Sequence, residues 1–269
     1  MTVPSMALPE LVDRSSAAGL GGIGLWSSSW ETLGVDEAAR LVRTAGLRVS
    51  SVCRAGMFPA RDDAAREAGR SDNHLLVEAA RVLDAEALVV VCGAAVGTDL
   101  TRARREVAEG LAGLADHARA HGVRLAVEPM HPMMIADRSV VTSLREAVDL
   151  VETLDHPAVG LALDAYHVWW DAYWREELAR APHRLLAVQV SDWVTPVVHQ
   201  LRSRGMPGEG VVDLDGFLQT VTGSGFDGVV EVEVLSDAWD ARPADVAFAA
   251  ALAGVDALGA LAGARAEDG

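Results

Sequence analysis

The stretch Val159–Trp170, VGLALDAYHVWW, decides the fold of this chain. Its first five residues are apolar almost without interruption, which is typical of a parallel strand that helices cover on both faces. The run stops at Asp164, so this carboxylate is predicted at the carboxyl end of a strand, followed by Tyr166 and His167. In parallel α/β folds, and above all in (β/α)8 barrels, that end of the sheet carries the active site.

Three other apolar segments carry polar side chains at their carboxyl ends. They are Val123–Met130 with Glu128, Leu185–Asp192 with Gln189 and Asp192, and Gly228–Leu235 with Glu231 and Glu233. Because the carboxyl ends of parallel strands meet at one rim, these side chains are predicted to converge there. Glu231 and Glu233 lie two residues apart and share a strand face, so the pattern leaves the choice between them open.

Strand-like and helical segments alternate along all 269 residues. The remaining predicted strands are Met1–Met6, Gly21–Trp26, Leu47–Arg54 and Ala87–Cys92. The predicted helices are Pro9–Ala18, Asp36–Ala45, one capped by Ser71 or Asp72 that runs to Leu83, one from Asp99 or Thr101 to His121, Thr142–Leu154, one through about Arg180, Asp213–Thr222 and Pro243–Leu261. Eight alternations predict a single (β/α)8 TIM barrel, an α/β domain that spans residues 1–269. A doubly wound open sheet is the alternative, but no Gly-rich phosphate signature follows an early strand.

Charge and composition narrow the classes of function. The formal net charge is −16, and all 23 basic residues are arginine because the chain has no lysine. An acidic surface without a basic stripe argues against a nucleic-acid partner, and the lack of lysine excludes a lysine Schiff base. Cys53 and Cys92 lie in apolar runs and are expected to be buried free thiols. We see no signal-peptide pattern and no membrane-spanning stretch, so a cytoplasmic location without membrane contact is expected.

The convergent carboxylates indicate a chemistry. Three carboxylates at one rim repel each other unless a cation neutralises them, and oxygen donors suit a hard divalent ion. Such an ion acts as a Lewis acid on a carbonyl and stabilises an enediolate, while neighbouring carboxylates take and return the α-proton. The predicted reaction class is proton transfer next to a carbonyl. For each single acid, a helix cap or a partner of an arginine is the alternative role, and Gln189 could simply bond its neighbours.

Several rim residues are candidates for substrate contacts. His131 and His167 each follow a proposed ligand by three residues, and are predicted to hydrogen-bond substrate or shuttle protons unless they are surface histidines. Trp26 and Arg54 end predicted strands and point towards the same rim. Arg204 lies in the tight loop RGMPGEG and could hold a hydroxyl, phosphate or carboxylate, with a surface ion pair to Glu209 as the alternative.

An aromatic run follows Asp164. Its members are Tyr166, Trp169, Trp170, Tyr173 and Trp174, within nine residues of one another. They are predicted to form a wall or lid against which a sugar stacks, with Trp169 contacting substrate. For Trp170 and Trp174, helix packing or a subunit contact is the alternative.

These motifs resemble a family, the xylose-isomerase-like TIM barrels that include tagatose and psicose 3-epimerases, hydroxypyruvate isomerase, and inosose isomerases and dehydratases. The resemblance runs through GGIGLW, LAVEPMHP, LALDAYHVWW, RGMPGEGVVDL and GFDGVVEVEV. It implies one divalent metal ion held at the ends of strands five to eight, with Glu128 and Asp164 matching the first two ligands. The spacing of GFDGVVEVE matches Glu233 to the last ligand. The resemblance also implies that Glu128 and Glu233 are the acid/base pair.

The resemblance also assigns the remaining positions. His131, His167 and Arg204 match substrate-contacting or motif positions of the family. Gln189 stands where most relatives have His, so the site is all oxygen and should favour Mn or Mg, with Co as a further option, over Zn. Relatives are often dimers or tetramers, so a homo-oligomer is expected.

The leading interpretation is a metal-dependent isomerase or epimerase of a small ketose, hydroxy-keto acid or related keto-polyol. The second keeps the metal and the enediolate but ends in elimination, as in a dehydratase or a C–C or C–O lyase acting on a keto-sugar. The third is a barrel that has lost catalysis and binds a sugar or a partner protein. A nuclease of the same fold would need a His-rich multi-zinc site and a basic groove, which the sequence lacks.

Overall fold

The structure is a computed structural model that describes residues 2–266, with side chains described for residues 2–258. The strands are β1 (Gly22–Trp26), β2 (Arg48–Gly56), β3 (Leu88–Val91), β4 (Leu125–Glu128), β5 (Val159–Asp164), β6 (Leu185–Val190), β7 (Asp192–Trp193), β8 (Arg204–Gly205) and β9 (Val230–Val232). The helices are α1 (Leu8–Ala17), α2 (Val35–Thr44), α3 (Asp63–Val82), α4 (Leu100–Ala120), α5 (Leu144–Leu154), α6 (Ala165–Val168), α7 (Trp174–Arg180), α8 (Leu214–Gly223), α9 (Asp237–Asp240) and α10 (Ala244–Ala266).

Seven strands form one parallel sheet in the order β1-β2-β3-β4-β5-β6-β9, and the helices cover its outer face. This is the predicted TIM-barrel architecture, because each parallel pair needs a crossover helix that packs on the outside. β7 and β8 form a separate antiparallel hairpin between β6 and α8. Among the described residues, no helix has the length and apolar character needed to cross a membrane.

The predicted first strand is wrong for residues 2–6, and Met1 lies outside the described residues. Residues 4–6 turn, with the Met6 amide donating to the Val3 carbonyl at 3.1 Å. Pro4 favours this turn because its φ is fixed and it has no amide hydrogen for a strand ladder. Thr2 instead bonds β9 through its hydroxyl, which donates to Val232 O and accepts from Val234 N. A cavity of about 850 Å³ lies between β1 and β9 on this side of the barrel.

The third helix also begins earlier than predicted. Asp62, and neither Ser71 nor Asp72, is its cap and accepts from the Ala65 amide at 2.8 Å. The first two turns carry pairs three residues apart that stabilise a helix, such as Arg70 with Glu67. At the other predicted caps, Asp99 accepts from the Arg102 amide and Ser143 from the Glu146 amide.

The core has two layers that follow the period-two alternation of each strand. Leu161, Leu163 and their counterparts on other strands face outward and pack under the helices. The barrel interior is filled by small side chains, which are Cys53, Ala87, Val89, Ala126, Ala162 and Ala187. Cys53 and Cys92 are both buried free thiols, as expected. At Gly160 a Cβ would lie 2.2 Å from the Arg184 carbonyl oxygen, so β5 needs glycine there.

Candidate active site

Side chains alternate between the two faces of each strand, and the predicted acids lie on the faces that point into the barrel. Ala126, Ala162 and Ala187 face the interior. Because residues two apart share a face, Glu128, Asp164 and Gln189 continue these inward rows at the carboxyl ends of β4, β5 and β6. Asp164 is fully buried, and Glu128 and Glu233 are 5% and 6% exposed. In each of β4, β5 and β6 an alanine lies two residues before the polar residue, and this sequence pattern indicates that the polar side chain points inward.

Arg204 lies at the centre of these acids. Its Nη1 donates to Asp164 Oδ2 at 2.6 Å and to Glu233 Oε2 at 3.0 Å, and also reaches the Glu233 carbonyl at 3.2 Å. The guanidinium packs over the Tyr166 ring at 4.6 Å from its centroid. The side chain is 2% exposed, so the bridge excludes solvent almost completely. A charged group buried this deeply requires such partners.

The loop that carries Arg204 is held by two acids, and the alternative pairing of Arg204 with Glu209 is wrong. Glu209 Oε2 accepts from the Met206 amide at 2.7 Å and from Trp239 Nε1 at 2.9 Å. Asp192 accepts from the amides of Trp193, Gly208 and Val212. At Gly210 a Cβ would lie 2.3 Å from the Trp193 carbonyl oxygen, which explains the glycine in this motif. Asp192 is thus a positioning residue for the loop, a role that sequence reasoning did not assign.

Burial and charge act in opposite directions on the acids. Burial raises the pKa of Glu128 well above its ordinary value, and the nearby Asp164 and Glu233 add to this, while Arg204 and Arg54 oppose it. Burial likewise raises the pKa of Asp164, against the attraction of Arg204 and a hydrogen bond from the Tyr166 amide. Two acids that hold a proton more tightly than usual in one buried site are suited to acid–base chemistry near neutral pH.

His167 lies beside this cluster as a neutral ring. Burial lowers its pKa well below the ordinary value, and the positive charge of Arg204 adds to the effect. The His131 amide donates to Nδ1 at 3.2 Å, while Arg204 Nη2 lies 3.2 Å from Nε2. A neutral imidazole accepts at one nitrogen only, so these two obligate donors compete for one lone pair. If the fixed backbone amide keeps Nδ1, the ring proton lies on Nε2, which is 3.7 Å from Asp164 Oδ2.

The structure places Gln189 and Glu231 together, one layer deeper than Glu233. Gln189 Nε2 donates to Glu231 Oε2 at 3.0 Å. The Gln189 Oε1 atom is buried and has no hydrogen-bond partner within the described part of the chain. A buried acceptor without a donor costs free energy, so this atom is a candidate ligand or substrate contact.

The predicted aromatic wall has Trp193 at its centre. Its ring lies 4.8 Å from Tyr166, 5.3 Å from Trp169 and 4.9 Å from His131, between ring centroids. Sequence reasoning did not single out Trp193. The Trp169 Nε1 atom is buried and has no acceptor among the residues that the structure describes.

The outer members of the aromatic run have other contacts. Trp170 bonds the His167 carbonyl at 2.8 Å and is 39% exposed. Trp174 packs on Phe217 of α8, which is the helix-packing alternative. The side chain of His131 is half-buried, and its Nδ1 accepts from the Met133 amide at 3.2 Å.

A small cavity of about 30 Å³ remains between these groups. Trp26, Arg54, Glu128, Leu201, Arg204 and Glu233 are among its lining residues. Arg54 is half-buried, and burial lowers its pKa, with the nearby Arg138 adding to the effect. Glu128, Asp164 and His167 each offer a ligand atom within 4.8 Å of the others, so these three residues could hold a metal ion.

Comparison with known proteins identifies one family of TIM barrels. A family model described as "Xylose isomerase-like TIM barrel" matches residues 12–255. The crystal structure of protein SMc04130 from Sinorhizobium meliloti 1021 is 41% identical, with a TM-score of 0.91, over 96% of this chain and 95% of that chain. The structure of the IolI protein, which contains a bound zinc atom, is 20% identical with a TM-score of 0.82, over 96% of this chain and 94% of that one.

Two curated relatives are enzymes. A 3-dehydroshikimate dehydratase from Pseudomonas putida is 28% identical over 169 residues, which are 58% of this chain and 24% of that protein. An inosose isomerase from Bacillus licheniformis is 33% identical over 130 residues, which are 47% of this chain and 45% of that protein. The matched segments therefore span about a quarter and about half of these relatives.

Proposed function

Because the chain belongs to the xylose isomerase-like TIM barrel family, we propose that it is a divalent-metal-dependent isomerase or epimerase. It moves a proton next to the carbonyl of a small ketose, hydroxy-keto acid or related keto-polyol. The observation that carries the proposal is the buried cluster of Glu128, Asp164 and Glu233 around Arg204. Buried acids with no role in chemistry would be costly to retain at a barrel's carboxyl rim.

The rim side chains fit a hard divalent cation. Glu128, Asp164 and Glu233 supply carboxylate oxygens, and Gln189 Oε1 is a buried acceptor for which the described residues offer no donor. Oxygen ligands of this kind suit Mg²⁺ or Mn²⁺, with Co²⁺ as a further candidate. These four residues would hold the ion, and it would supply Lewis-acid polarisation of the substrate carbonyl.

Charge balance supports the same assignment. Glu128, Asp164 and Glu233 face Arg204 and the half-buried Arg54, and Glu231 lies beside them bonded to Gln189, so the acids of this site outnumber its arginines. A divalent cation would offset this excess of negative charge. We expect Arg204 to release at least one carboxylate as the cation enters, because the guanidinium now bridges Asp164 and Glu233.

The chain's own residues would then carry the proton. In one direction the Glu233 carboxylate would take the α-proton as the C–H bond breaks. The electron pair of that bond forms a carbon–carbon double bond, and the carbonyl π pair moves onto the carbonyl oxygen. Glu128, whose pKa is raised by burial, holds a proton and delivers it to the opposite face. The Nε2–H of His167 and the guanidinium of Arg204 would donate to substrate oxygens, and Trp169 and Trp193 would pack on its apolar face.

The small cavity sets a condition on binding. The cavity beside Arg204 is too small for a sugar, but the cavity of about 850 Å³ between β1 and β9 also reaches Trp26 and Glu233. Substrate would therefore enter from that side, or Arg204 or the segment that carries Leu201 would move. His131, Trp26 and Arg54 complete the proposed substrate contacts at this rim. A homo-oligomer remains an expectation from the family resemblance.

Elimination is the second candidate reaction, because 169 residues of the chain align with a dehydratase. The same proton abstraction would be followed by loss of a β-hydroxyl group, with the leaving oxygen protonated at the rim. Product analysis separates the two outcomes, since an isomerase releases neither water nor an alcohol.

The first test is metal content by mass spectrometry on protein purified without added metal or a metal-binding tag. Wild type is compared with Asp164→Ala, with exposed Asp116→Ala as the matched control. We expect stoichiometric Mn, Mg or Co in wild type and control, with loss in Asp164→Ala. Ketoses and keto acids are then screened for exchange of the α-proton in D₂O. A protein that retains no metal and binds no supplied Mn²⁺ would instead support the binding-barrel alternative.

A further inference from the structure

A second group of metal-binding side chains lies outside the barrel, where α3 packs against α4. His74 and Glu78 are four residues apart on α3, and His117 and His121 are four apart at the end of α4. Residues with this spacing share one helix face. We call these four residues the helix-face histidine cluster.

Three members of the cluster are close enough to share an ion. Glu78, His117 and His121 each offer one ligand atom, and these atoms all lie within 4.8 Å of one another. Ligand bonds to zinc are about 2.0–2.2 Å long, so small side-chain rotations bring the three atoms into one coordination sphere. Glu78 is exposed and free to rotate, while both histidines are partly buried.

The two histidine rings are already oriented. His121 Nδ1 lies 2.8 Å from the His117 carbonyl oxygen, which can only accept, so Nδ1 carries the proton and Nε2 has the lone pair. A backbone carbonyl on the second ring nitrogen is the usual arrangement behind a metal-bound imidazole.

His117 is oriented by its neighbours. Its ring stacks on His74, with centroids 3.9 Å apart and planes 8° from parallel. Its Nε2 atom is buried and lacks a hydrogen-bond partner among residues 2–258. Burial and the two adjacent histidines lower the pKa of His117, so the ring is neutral near pH 7.

We propose that Glu78, His117 and His121 bind one transition-metal ion of the zinc class and thereby tie α3 to α4. Two imidazoles and one carboxylate select Zn²⁺, Ni²⁺, Cu²⁺ or Co²⁺ over Mg²⁺ or Ca²⁺. The site is separate from the rim and does not depend on the proposed reaction. His74 acts as a positioning residue that holds the His117 ring.

The direct test is Zn²⁺ binding by equilibrium dialysis of the tag-free protein, with metal counted by mass spectrometry. The rim could also bind Zn²⁺, so the measured quantity is a difference between variants. We expect His117→Ala/His121→Ala to bind one Zn²⁺ fewer than wild type, and Asp164→Ala to retain this ion. His183→Ala removes an exposed histidine elsewhere and should change nothing. Glu78→Gln should weaken Zn²⁺ binding at this site at least about tenfold.

The shift in Tm on adding Zn²⁺ is a second measurement, which keeps the proposal testable if the double alanine variant folds poorly. In the Asp164→Ala background, which removes the rim site, Zn²⁺ should raise the Tm, and adding Glu78→Gln/His121→Gln, whose side chains are exposed or only partly buried, should abolish that rise. Circular dichroism without metal checks that each variant is folded. Equal Zn²⁺ stoichiometry and affinity in wild type and in both double variants would overturn the proposal.

Discussion

The barrel rim and the helix-face histidine cluster both bring acids and histidines together, yet they are built in opposite ways. At the rim, buried carboxylates surround a buried arginine. On the helices, partly buried rings and an exposed glutamate face solvent. Ionised groups in the interior must be paired whether or not a ligand is bound, whereas neutral imidazoles at the surface need no counter-charge. Because its carboxylates are buried, the rim includes a cationic side chain, Arg204, whereas the helix-face histidine cluster needs none.

The largest difference should appear in catalysis. Glu128→Gln and Glu233→Gln remove the proposed proton carriers while keeping the shape of the side chain. We expect each to slow α-proton exchange about 10²–10⁴-fold, the usual contribution of a general acid or base. Exchange is followed by NMR in D₂O, and the exposed Glu109→Gln is the matched control. Exchange at the wild-type rate in both variants would contradict the proposed function.

The next effect concerns stability at the rim. Arg204→Ala leaves Asp164 and Glu233 buried without their cation, so the free energy of unfolding should fall by about 3–5 kcal/mol. Arg14→Ala breaks an exposed ion pair with Glu10 and should cost no more than about 1 kcal/mol. Urea denaturation measures both. Added Mn²⁺ should restore part of the loss in Arg204→Ala, and equal losses in the two variants would argue against the buried bridge.

Exchanging one donor type should make the rim more like the helix-face histidine cluster. Gln189→His replaces a hard amide oxygen with an imidazole nitrogen. The ratio of Zn²⁺ to Mn²⁺ affinity at the rim should rise at least about tenfold, or about 1.4 kcal/mol. Competition titrations in the His117→Ala/His121→Ala background isolate the rim. An unchanged ratio would show that Gln189 is not a ligand.

The pH dependence of stability should separate the two regions as well. The pKa of His167 is lowered by burial in the folded chain and returns to about 6.5 on unfolding. Above that pH the ring is neutral in both states and contributes nothing. Below it the unfolded chain binds the proton first, so stability falls by up to about 1.4 kcal/mol per pH unit.

His167→Asn removes this titrating group. In EDTA, its free energy of unfolding should decline less steeply than that of wild type between pH 6.5 and 5.5. Identical slopes would mean that folding does not lower the pKa of His167. His183→Ala, which removes an exposed ring, is the control.

The smallest effect on stability is expected when the helix-face histidines are replaced and no metal is present. His117→Ala/His121→Ala should change the metal-free unfolding free energy by about 0.5 kcal/mol or less, because both rings are only partly buried. With Zn²⁺ at 100 times its Kd, wild type should gain about 2.7 kcal/mol that the double variant does not. A large metal-free loss would indicate that the stacked rings are structural.

Local patterns predicted most of the barrel. The run VGLALD became β5 with Asp164 at its end, and Asp99 and Ser143 cap their helices. Errors arose where two local signals competed. Met1–Met6 has strand-like residues, but Pro4 directs a turn, and the helix expected from Ser71 or Asp72 starts at Asp63 because Asp62 caps it.

The sequence by itself determined the fold class and the rows of inward-facing acids, because strand alternation and apolar runs are local properties. Only the tertiary structure decided that Arg204 bridges Asp164 and Glu233, that Gln189 bonds Glu231, and that Trp193 lies among the aromatic rings. It also brought His117 beside Glu78, two residues on different helices. Such pairings depend on how loops and helices close across the barrel, and sequence spacing carries no record of distances between segments that are far apart in the chain.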